Sequence, residues 1–436
     1  MGMTLMKGWK TSGLPELLRL MKSGGTPDTT RTDFYGGDIP FVSIEDMTAT
    51  NKYLDSTTKT LTDDGLQHSN AWIVPDNSIL YSIYATLGLP RINTIPVATN
   101  QAILALIIDP NRVDLDYLYY WLDFIRSCVV SLSSQTTQNN LNATIVRSFL
   151  VDHPTSVAEQ SQIADILSTV DLAIEQTEAL IAKQQRIKTG SMQDLLTRGI
   201  DEHGNLRSEP THQFKDSPVG RIPVEWEVVA LGSVSEISSG ITLGKSYSGP
   251  NTVELPYLRV ANVQDGYLDL TDVKLIRIPK CNVERYELRV GDVLMNEGGD
   301  FDKLGRGCVW NGEIEHCLHQ NHVFKVRPKQ GLLASDYLAA VSSSPYGKSF
   351  FVLASKQSTN LASINSTQLK SFPIPLPEYC EQLRIEKLAK QYTSVYNEAM
   401  RRLSKLRSLK TALMQDLLTG KVRVTPLLDK MEVTDG

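Results

Sequence analysis

Apolar residues recur at steps of three and four from Glu159 to Thr197, at Ile163, Leu167, Val170, Ile174 and Ile181, in a stretch with no proline. That period predicts one long amphipathic helix. Ser156 and Glu159 form a capping-box pattern just after Pro154, and Gly199 stands where a helix stop belongs. A second helix is predicted from Ile385, Leu388, Tyr392, Val395, Ala399, Leu403, Leu406, Leu413 and Leu417, ending near Gly420. At about 1.5 Å per residue each helix is about 60 Å long. A lone stripe of that length has to be buried, and the economical solution packs the two helices on each other as an antiparallel coiled coil.

The two helices are copies. Met192-Gln193-Asp194-Leu195-Leu196-Thr197 recurs as Met414-Gln415-Asp416-Leu417-Leu418-Thr419, an offset of 222. At that offset Glu159-Gln160 matches Glu381-Gln382, Lys183 matches Lys405, and Lys188-Thr189 matches Lys410-Thr411. Twelve of 39 ungapped pairs are identical, so the chain is a tandem repeat. Upstream the repeat is looser. Trp9 parallels Trp226, Ile39 to Val42 parallels Leu255 to Leu258, Asp116 to Leu118 parallels Asp336 to Leu338, and Asn140-Leu141 parallels Asn360-Leu361.

The regions before the helices alternate short β-type runs with Gly, Pro and Asn turns: Val228 to Leu231, Tyr257 to Val260, Val293 to Met295, Val323 to Val326, and Leu104 to Ile108. Asp114 to Val130 and Ala334 to Val341 read as helices. The predicted class is α+β: two strand-rich domains in tandem, separated and joined by two long helices with pseudo-two-fold symmetry. The predicted boundaries are 1–155 (first domain), 156–199 (first helix), 200–217 (a polar linker), 218–377 (second domain), 378–420 (second helix) and 421–436 (tail).

Composition is that of an ordinary soluble protein, with 41% apolar and 21% charged residues. No apolar run is long enough to cross a bilayer, no signal-peptide core precedes Thr11, and five unspaced cysteines fit a reducing compartment, so cytoplasmic residence is expected. The net charge of −5 speaks mildly against an autonomous nucleic-acid binder. From Glu381 to Val424, however, ten Lys/Arg face four acids, a local +6 that suits phosphate, an acidic partner or a solvated face.

No catalytic centre is identified. Gly240 to Ser246 is one residue short of a phosphate-binding P-loop, and the first repeat has Gly24-Gly25-Thr26-Pro27 there, without Lys-Ser. Either a turn or a glycine-rich loop beside DNA phosphates fits it better than a nucleotide site. Cys308, His316, Cys317, His319 and His322 have no regular zinc spacing, and no metal site is assigned.

The order of variable domain, helix with Met-Gln-Asp-Leu-Leu-Thr, second variable domain and second helix resembles the specificity subunits of type I restriction-modification systems. Ser23 to Pro27 through Gly36 to Val42, Ser217 to Trp226, and Leu255 to Val263 are each similar to stretches of that family. The resemblance covers residues 8–424; the first repeat departs from it in lacking the Ser-Pro-x-Gly opening before Trp9. It implies a non-catalytic subunit in which each recognition domain reads one half of a bipartite, asymmetric double-stranded DNA target. The helices would set the spacer and dock two methyltransferase subunits, with motor-nuclease subunits joined through those. No cofactor is expected on this chain; S-adenosylmethionine, ATP and Mg²⁺ would belong to the partners. A methylation-only or other restriction-type system is the alternative in the same class; an NTPase or transferase, and a pure coiled-coil scaffold, are the alternatives outside it.

Base readout needs Arg/Lys, Asn/Gln and Ser/Thr on exposed loops. The first domain offers Thr29, Thr30, Arg31 and Tyr35, then Tyr84 and Arg91, then Gln135, Thr136, Gln138, Asn139 and Asn140. The second offers Lys245, Tyr247, Arg259, Asn262, Lys303 and Arg306, then Lys356, Gln357, Ser358, Thr359 and Asn360. The two amide-and-hydroxyl runs occupy equivalent places in the repeat, each just before Asn-Leu.

Overall fold

The computed structural model describes residues 7–133, 141–299, 304–305, 307–357 and 362–425. The chain divides into two compact units, Met1–Ala179 with Arg401–Gly436, and Leu180–Met400.

In the first unit the strands are β1 (Trp9–Gly13), β2 (Leu18–Ser23), β3 (Tyr35–Val42), β4 (Tyr53–Leu54), β5 (Lys59–Leu61), β6 (Ile73–Val74), β7 (Ser78–Ser82), β8 (Pro90–Asn93), β9 (Val97–Thr99), β10 (Ile103–Ile108) and β11 (Leu150–Pro154). They form a β2-β10-β7-β8-β4 sheet, a β5-β3-β9-β6 sheet, and a β1-β11 pair. The helix Leu115–Ser133 lies against the first sheet, and its Tyr117, Leu118, Tyr120 and Leu122 are fully buried.

The second unit repeats this plan. Its strands are β12 (Phe214–Ser217), β13 (Gly220–Pro223), β14 (Glu227–Ala230), β15 (Ser235–Ser239), β16 (Thr252–Leu258), β17 (Lys274–Pro279), β18 (Val293–Asn296), β19 (Gly298–Gly299), β20 (Gly307–Val309), β21 (Leu318–His319), β22 (Val323–Pro328), β23 (Lys356–Gln357), β24 (Ala362–Ser363) and β25 (Pro373–Leu376). The orders β15-β22-β18-β20 and β17-β16-β21 and the β14-β25 pair follow those of the first unit, except that its edge strands β4 and β6 have no counterpart. Helices Ser335–Ser343 and Pro345–Ala354 stand where the first unit has one helix, and a small β19-β24-β23 sheet is added. Phe41 pairs in parallel with Ala98, and Tyr257 pairs likewise with Leu318, so the loose repeat at 39–42 and 255–258 is a true structural register.

The long helices run Val157–Thr197 and Tyr379–Leu418. Within each unit their segments lie antiparallel. In the first, Lys410 Nζ is 2.7 Å from Asp171 and Arg407 is 2.7 Å from Glu178, so numbers rise on one helix as they fall on the other. In the second, Lys188 sits over the Tyr396 ring while Glu381 accepts the Ile200 N–H at 2.9 Å.

The end of each helix enters the core of the strand-rich domain of the other repeat. Met414, Leu417 and Leu418 are buried with Trp9, Leu14, Tyr117 and Ile163, whereas Leu195 and Leu196 are buried with Trp226, Leu231, Tyr337 and Ile385. The glycines after the helices, Gly420 and Gly199, have positive φ and lie under Trp9 and Trp226 respectively. The duplicated Met-Gln-Asp-Leu-Leu-Thr is thus a plug of fixed shape for two domains of the same plan.

The Glu-Gln pair that opens each helix secures the plug. Glu159, 2% exposed, receives Arg423 through two bonds of 2.6 and 2.7 Å. Glu381, 4% exposed, receives Arg207, the Trp226 indole N–H and the Ile200 N–H. Gln160 accepts the Asp114 N–H and donates to the Pro154 carbonyl, and Gln382 does the same with Ala334 and Pro377. Only half of the expected capping box forms: Ser156 accepts the Glu159 N–H, but the Glu159 carboxylate is taken by Arg423.

Two further expectations are corrected. Residues 200–217 are not a free linker: Ile200 is buried, it bridges to Leu206, Arg207 binds Glu381, and β12 pairs with β13. Val395 is 50% exposed; the inward places are taken by Tyr392, Tyr396 and Ala399, because the 3-4 step shifts by one residue there. Ile163, Leu167, Ile385, Leu403 and Leu417 are buried, and Val170, Ile174, Ile181, Leu388, Leu406 and Leu413 are half-buried.

Candidate nucleic-acid interface

Three loops converge at one end of each strand-rich domain. In the first, the Ile83 N–H donates to the Ala102 carbonyl at 2.8 Å, and Leu141 N–H donates to the Ile83 carbonyl at 3.2 Å. In the second, Glu297 N–H donates to His322 at 2.9 Å, and Ile364 N–H to Glu297 at 2.8 Å. These bonds tie together the exit of β7 or β18, the turn after β9 or β21, and the residue before the next helix cap, Asn142 or Asn365, so that Leu141 matches Ile364 and not Leu361 as the sequence repeat suggests. Tyr84, exposed, follows Ile83, and Lys356 lies in β23 beside β24. Gln135, Thr136, Gln138, Asn139, Asn140, Lys303, Arg306, Ser358, Thr359 and Asn360, and the Gln357 side chain, lie outside the described residues.

A cleft of about 600 Å³ opens in the first domain, lined by Thr26, Thr29, Thr32, Tyr35, Thr60 and Asn100 among others. Its rim is internally braced. The Asp28 carboxylate accepts the N–H and hydroxyl of Thr30, which hold its pKa below the usual range. The Tyr35 hydroxyl donates to the Pro27 carbonyl at 2.9 Å, and the Thr26 hydroxyl donates to Gln101. Arg31 is paired with Asp33 and stacked on Phe34, so only part of its guanidinium faces outward.

Other expected readers have structural duties. Arg91 donates to the carbonyls of Met47 and Pro90, and burial lowers its pKa. Asn262 is 3% exposed and caps its own loop: it accepts the Arg259 N–H and donates to the carbonyls of Asp269 and Asp272. In the first unit buried Asp46 does the same work, accepting Ser43 and Thr58. Arg259 is held by Asp272 at 3.0 Å. Lys245 is exposed and Tyr247 half-buried on the loop after Ile241.

Gly240 is glycine for close packing. A Cβ there would meet the His319 carbonyl at 2.0 Å; at Gly24 it would meet the Thr99 carbonyl at 1.9 Å. No helix follows Ser246, so the loop lacks the helix N-terminus that a P-loop turns toward phosphate. Cys308 and Cys317 are buried, which pushes their thiol pKa values up to about 12, and His319 Nδ1 is bonded to the Val323 carbonyl. Among the described residues no three His, Cys, Asp or Glu side chains are grouped to hold a metal. No helix among them is long and apolar enough to cross a membrane.

A polar junction that periodicity does not reveal joins the first domain to the helices. Lys52, almost buried, reaches Asp116 at 2.7 Å and Ser168 at 3.0 Å; the Tyr120 hydroxyl donates to Asp171 at 2.8 Å, and Asp171 receives Lys410. In the second unit Lys390 bridges Asp336 and Glu386. The matched Asp116 and Asp336 were the only sequence signal for it.

The type I restriction modification DNA specificity domain model matches residues 6–184 and 223–406. The specificity subunits of the MjaVIII and MjaIX type I restriction enzymes of Methanocaldococcus jannaschii are similar to this chain. The first is 28% identical over 319 residues, 71% of each chain; the second is 25% identical over 263 residues, 60% of this chain and 59% of that one. Matches to curated relatives of this kind span 52%, 59% and 71% of their lengths. The crystal structure of a type I restriction-modification S subunit from M. genitalium has the same fold, with a TM-score of 0.55 at 15% identity, over 95% of this chain and 98% of that one. Two family matches, one on each repeat, on a chain whose domains share one strand order and exchange helix ends, place it: this chain belongs to the type I restriction modification DNA specificity family.

Proposed function

We propose that this chain is the DNA-reading, non-catalytic subunit of a type I restriction-modification complex, each recognition domain reading one half of a bipartite target. The observation that carries the reading is the pair of equivalent domain ends. The same backbone bonds hold the same three loops in both, while the side chains on those loops differ. A shared frame with different donors and acceptors is what two different half-sites require. The helices then set the spacer between half-sites and carry the methyltransferase subunits, with motor-nuclease subunits attached through these. S-adenosylmethionine, ATP and Mg²⁺ are bound by those partners.

Replacing Gln135, Thr136, Gln138 and Asn139 together by Ala is expected to relax the methylated motif in one half-site and leave the other intact. Sequencing the methylated sites of the assembled complex measures this. Equal relaxation of both halves would show that the segment positions DNA without reading it.

The docking reading has its own support. Ile187 and Leu409 hold the same place in the two helices and are 39% and 47% exposed. A duplicated apolar position facing solvent suits two copies of one partner. Ile187→Glu and Leu409→Glu are each expected to remove one of two methyltransferase subunits, read as mass by light scattering. A wild-type complex holding a single methyltransferase, attached to a recognition domain alone, would contradict this.

A further inference from the structure

In both units the turn between the two main sheets carries two adjacent amide side chains. They are Asn100-Gln101 in the first and Gln320-Asn321 in the second. The same backbone bond closes both turns. Ile103 N–H donates to the Asn100 carbonyl at 3.3 Å and Val323 N–H to the Gln320 carbonyl at 2.9 Å, closing a four-residue turn in each case. Gln101 and Asn321 therefore hold the same turn position. The residues around them have diverged: Thr99 corresponds to His319 and Ala102 to His322.

Each of these amides is oriented by a second side chain, and the two devices differ. In the first unit the Thr26 hydroxyl donates to Gln101 Oε1, which leaves the Nε2 donors and a second lone pair of Oε1. In the second unit His322 Nδ1 lies 2.6 Å from the Glu297 carboxylate and donates to it, which turns Nε2 toward the Asn321 amide. Asn321 Nδ2 is 3.3 Å from that Nε2, which leaves Oδ1 and one N–H of the amide. A turn that needed only a polar filler would have no use for two unrelated braces on the same amide. Both turns lie where the three loops converge.

We infer that Gln101 and Asn321 are base-reading residues, each pairing through its amide with the N6 and N7 edge of an adenine in the major groove of its own half-site. Asn and Gln are the side chains whose donor and acceptor match that edge. The inference rests on the proposal that this end of each domain faces DNA.

The test uses the full chain assembled with its methyltransferase, with methylated sites mapped by sequencing. Gln101→Ala is expected to relax one A·T position of the first half-site, with discrimination there falling about ten- to a hundredfold. Asn321→Ala should do so in the second half-site only. Gln101→Glu keeps the length and the Thr26 bond but presents two acceptors, so it should disfavour adenine and favour cytosine at the same position. An unchanged motif, a uniform loss of methylation at all sites, or relaxation at a G·C position would overturn the role of the turn. If the quadruple Ala variant of Gln135, Thr136, Gln138 and Asn139 also leaves the first half-site unchanged, the assignment of this end to DNA fails with it. If only the turn variants are silent, that assignment stands and the turn does not read.

Discussion

A chain ending at Met400 is expected to lose its first recognition domain, although every strand of that domain is still present. Met414, Leu417 and Leu418 are 8%, 3% and 1% exposed and belong to the same core as Leu14, Leu17, Tyr117 and Leu167. Removing a buried Leu or Met side chain costs about 2–5 kcal/mol. Three such losses reach the about 5–15 kcal/mol by which an ordinary domain is stable. The cut also removes Arg423 and with it the two-bond ion pair that closes over Glu159. Limited proteolysis should degrade residues 8–155 of this truncation while the 180–400 unit persists. A protected first domain would refute the plug.

The same geometry says which shorter chain recovers. Residues 1–210 carry their own copy of the plug, Met192, Leu195 and Leu196, followed by Arg207. In a second copy these can take the places of Met414, Leu417, Leu418 and Arg423, so this half-chain should associate with itself and, with methyltransferase, read a palindromic site. Arg207→Ala should weaken that association at least tenfold by sedimentation, because it strands the Glu159 of the other copy. A half-chain that remains monomeric at high concentration in the presence of methyltransferase would rule out exchange of the helix ends.

The repeat, the strand-rich domains and the two long helices could be read in the sequence because they depend on local period and on identical side chains at a constant offset. The destination of the helix ends could not. An amphipathic stripe says that a face is buried, not what covers it: Leu196 enters the domain that follows it, and Leu418 the one at the other end of the chain. The clasp was hidden for a related reason. Glu159 and Glu381 align, but their partners Arg423 and Arg207 follow the helices at unequal distances, so no single offset matches both. Asn262 and Arg91 have the residue types that read bases, and type does not distinguish a side chain that reads DNA from one that holds a loop. Gln101 and Asn321 are not legible in the sequence, because two adjacent amides look like ordinary turn polarity and only the backbone bonds place them at the same turn position.

Where the repeats diverge inside the core, the second unit has an acid-sensitive histidine at a place where the first has Thr99. His319 is fully buried, its Nδ1 bonded to the Val323 carbonyl at 2.7 Å, and its Nε2 has no hydrogen-bond partner among the described residues. Burial, with Lys325 and Arg327 nearby, pushes its pKa from 6.5 down to about 4 against the opposing pull of the Val323 carbonyl and Asp292. The folded state therefore holds a neutral ring, whereas the unfolded chain takes up a proton at its ordinary pKa. The stabilisation is fully present above pH 6.5 and is lost as pH falls from there to about 4, by roughly 3 kcal/mol at 1.36 kcal/mol per unit. Thr99 occupies the equivalent place in the first unit, so His319→Thr substitutes a side chain that this fold already accepts. His153 in the first unit is also depressed by burial, and it titrates alike in both proteins, as do the carboxylates. Urea unfolding of the second unit should show wild type losing roughly 3 kcal/mol more than His319→Thr between pH 7 and pH 4, whatever constant cost the smaller side chain adds. Parallel stability curves for the two proteins would mean that His319 does not stay neutral in the folded unit.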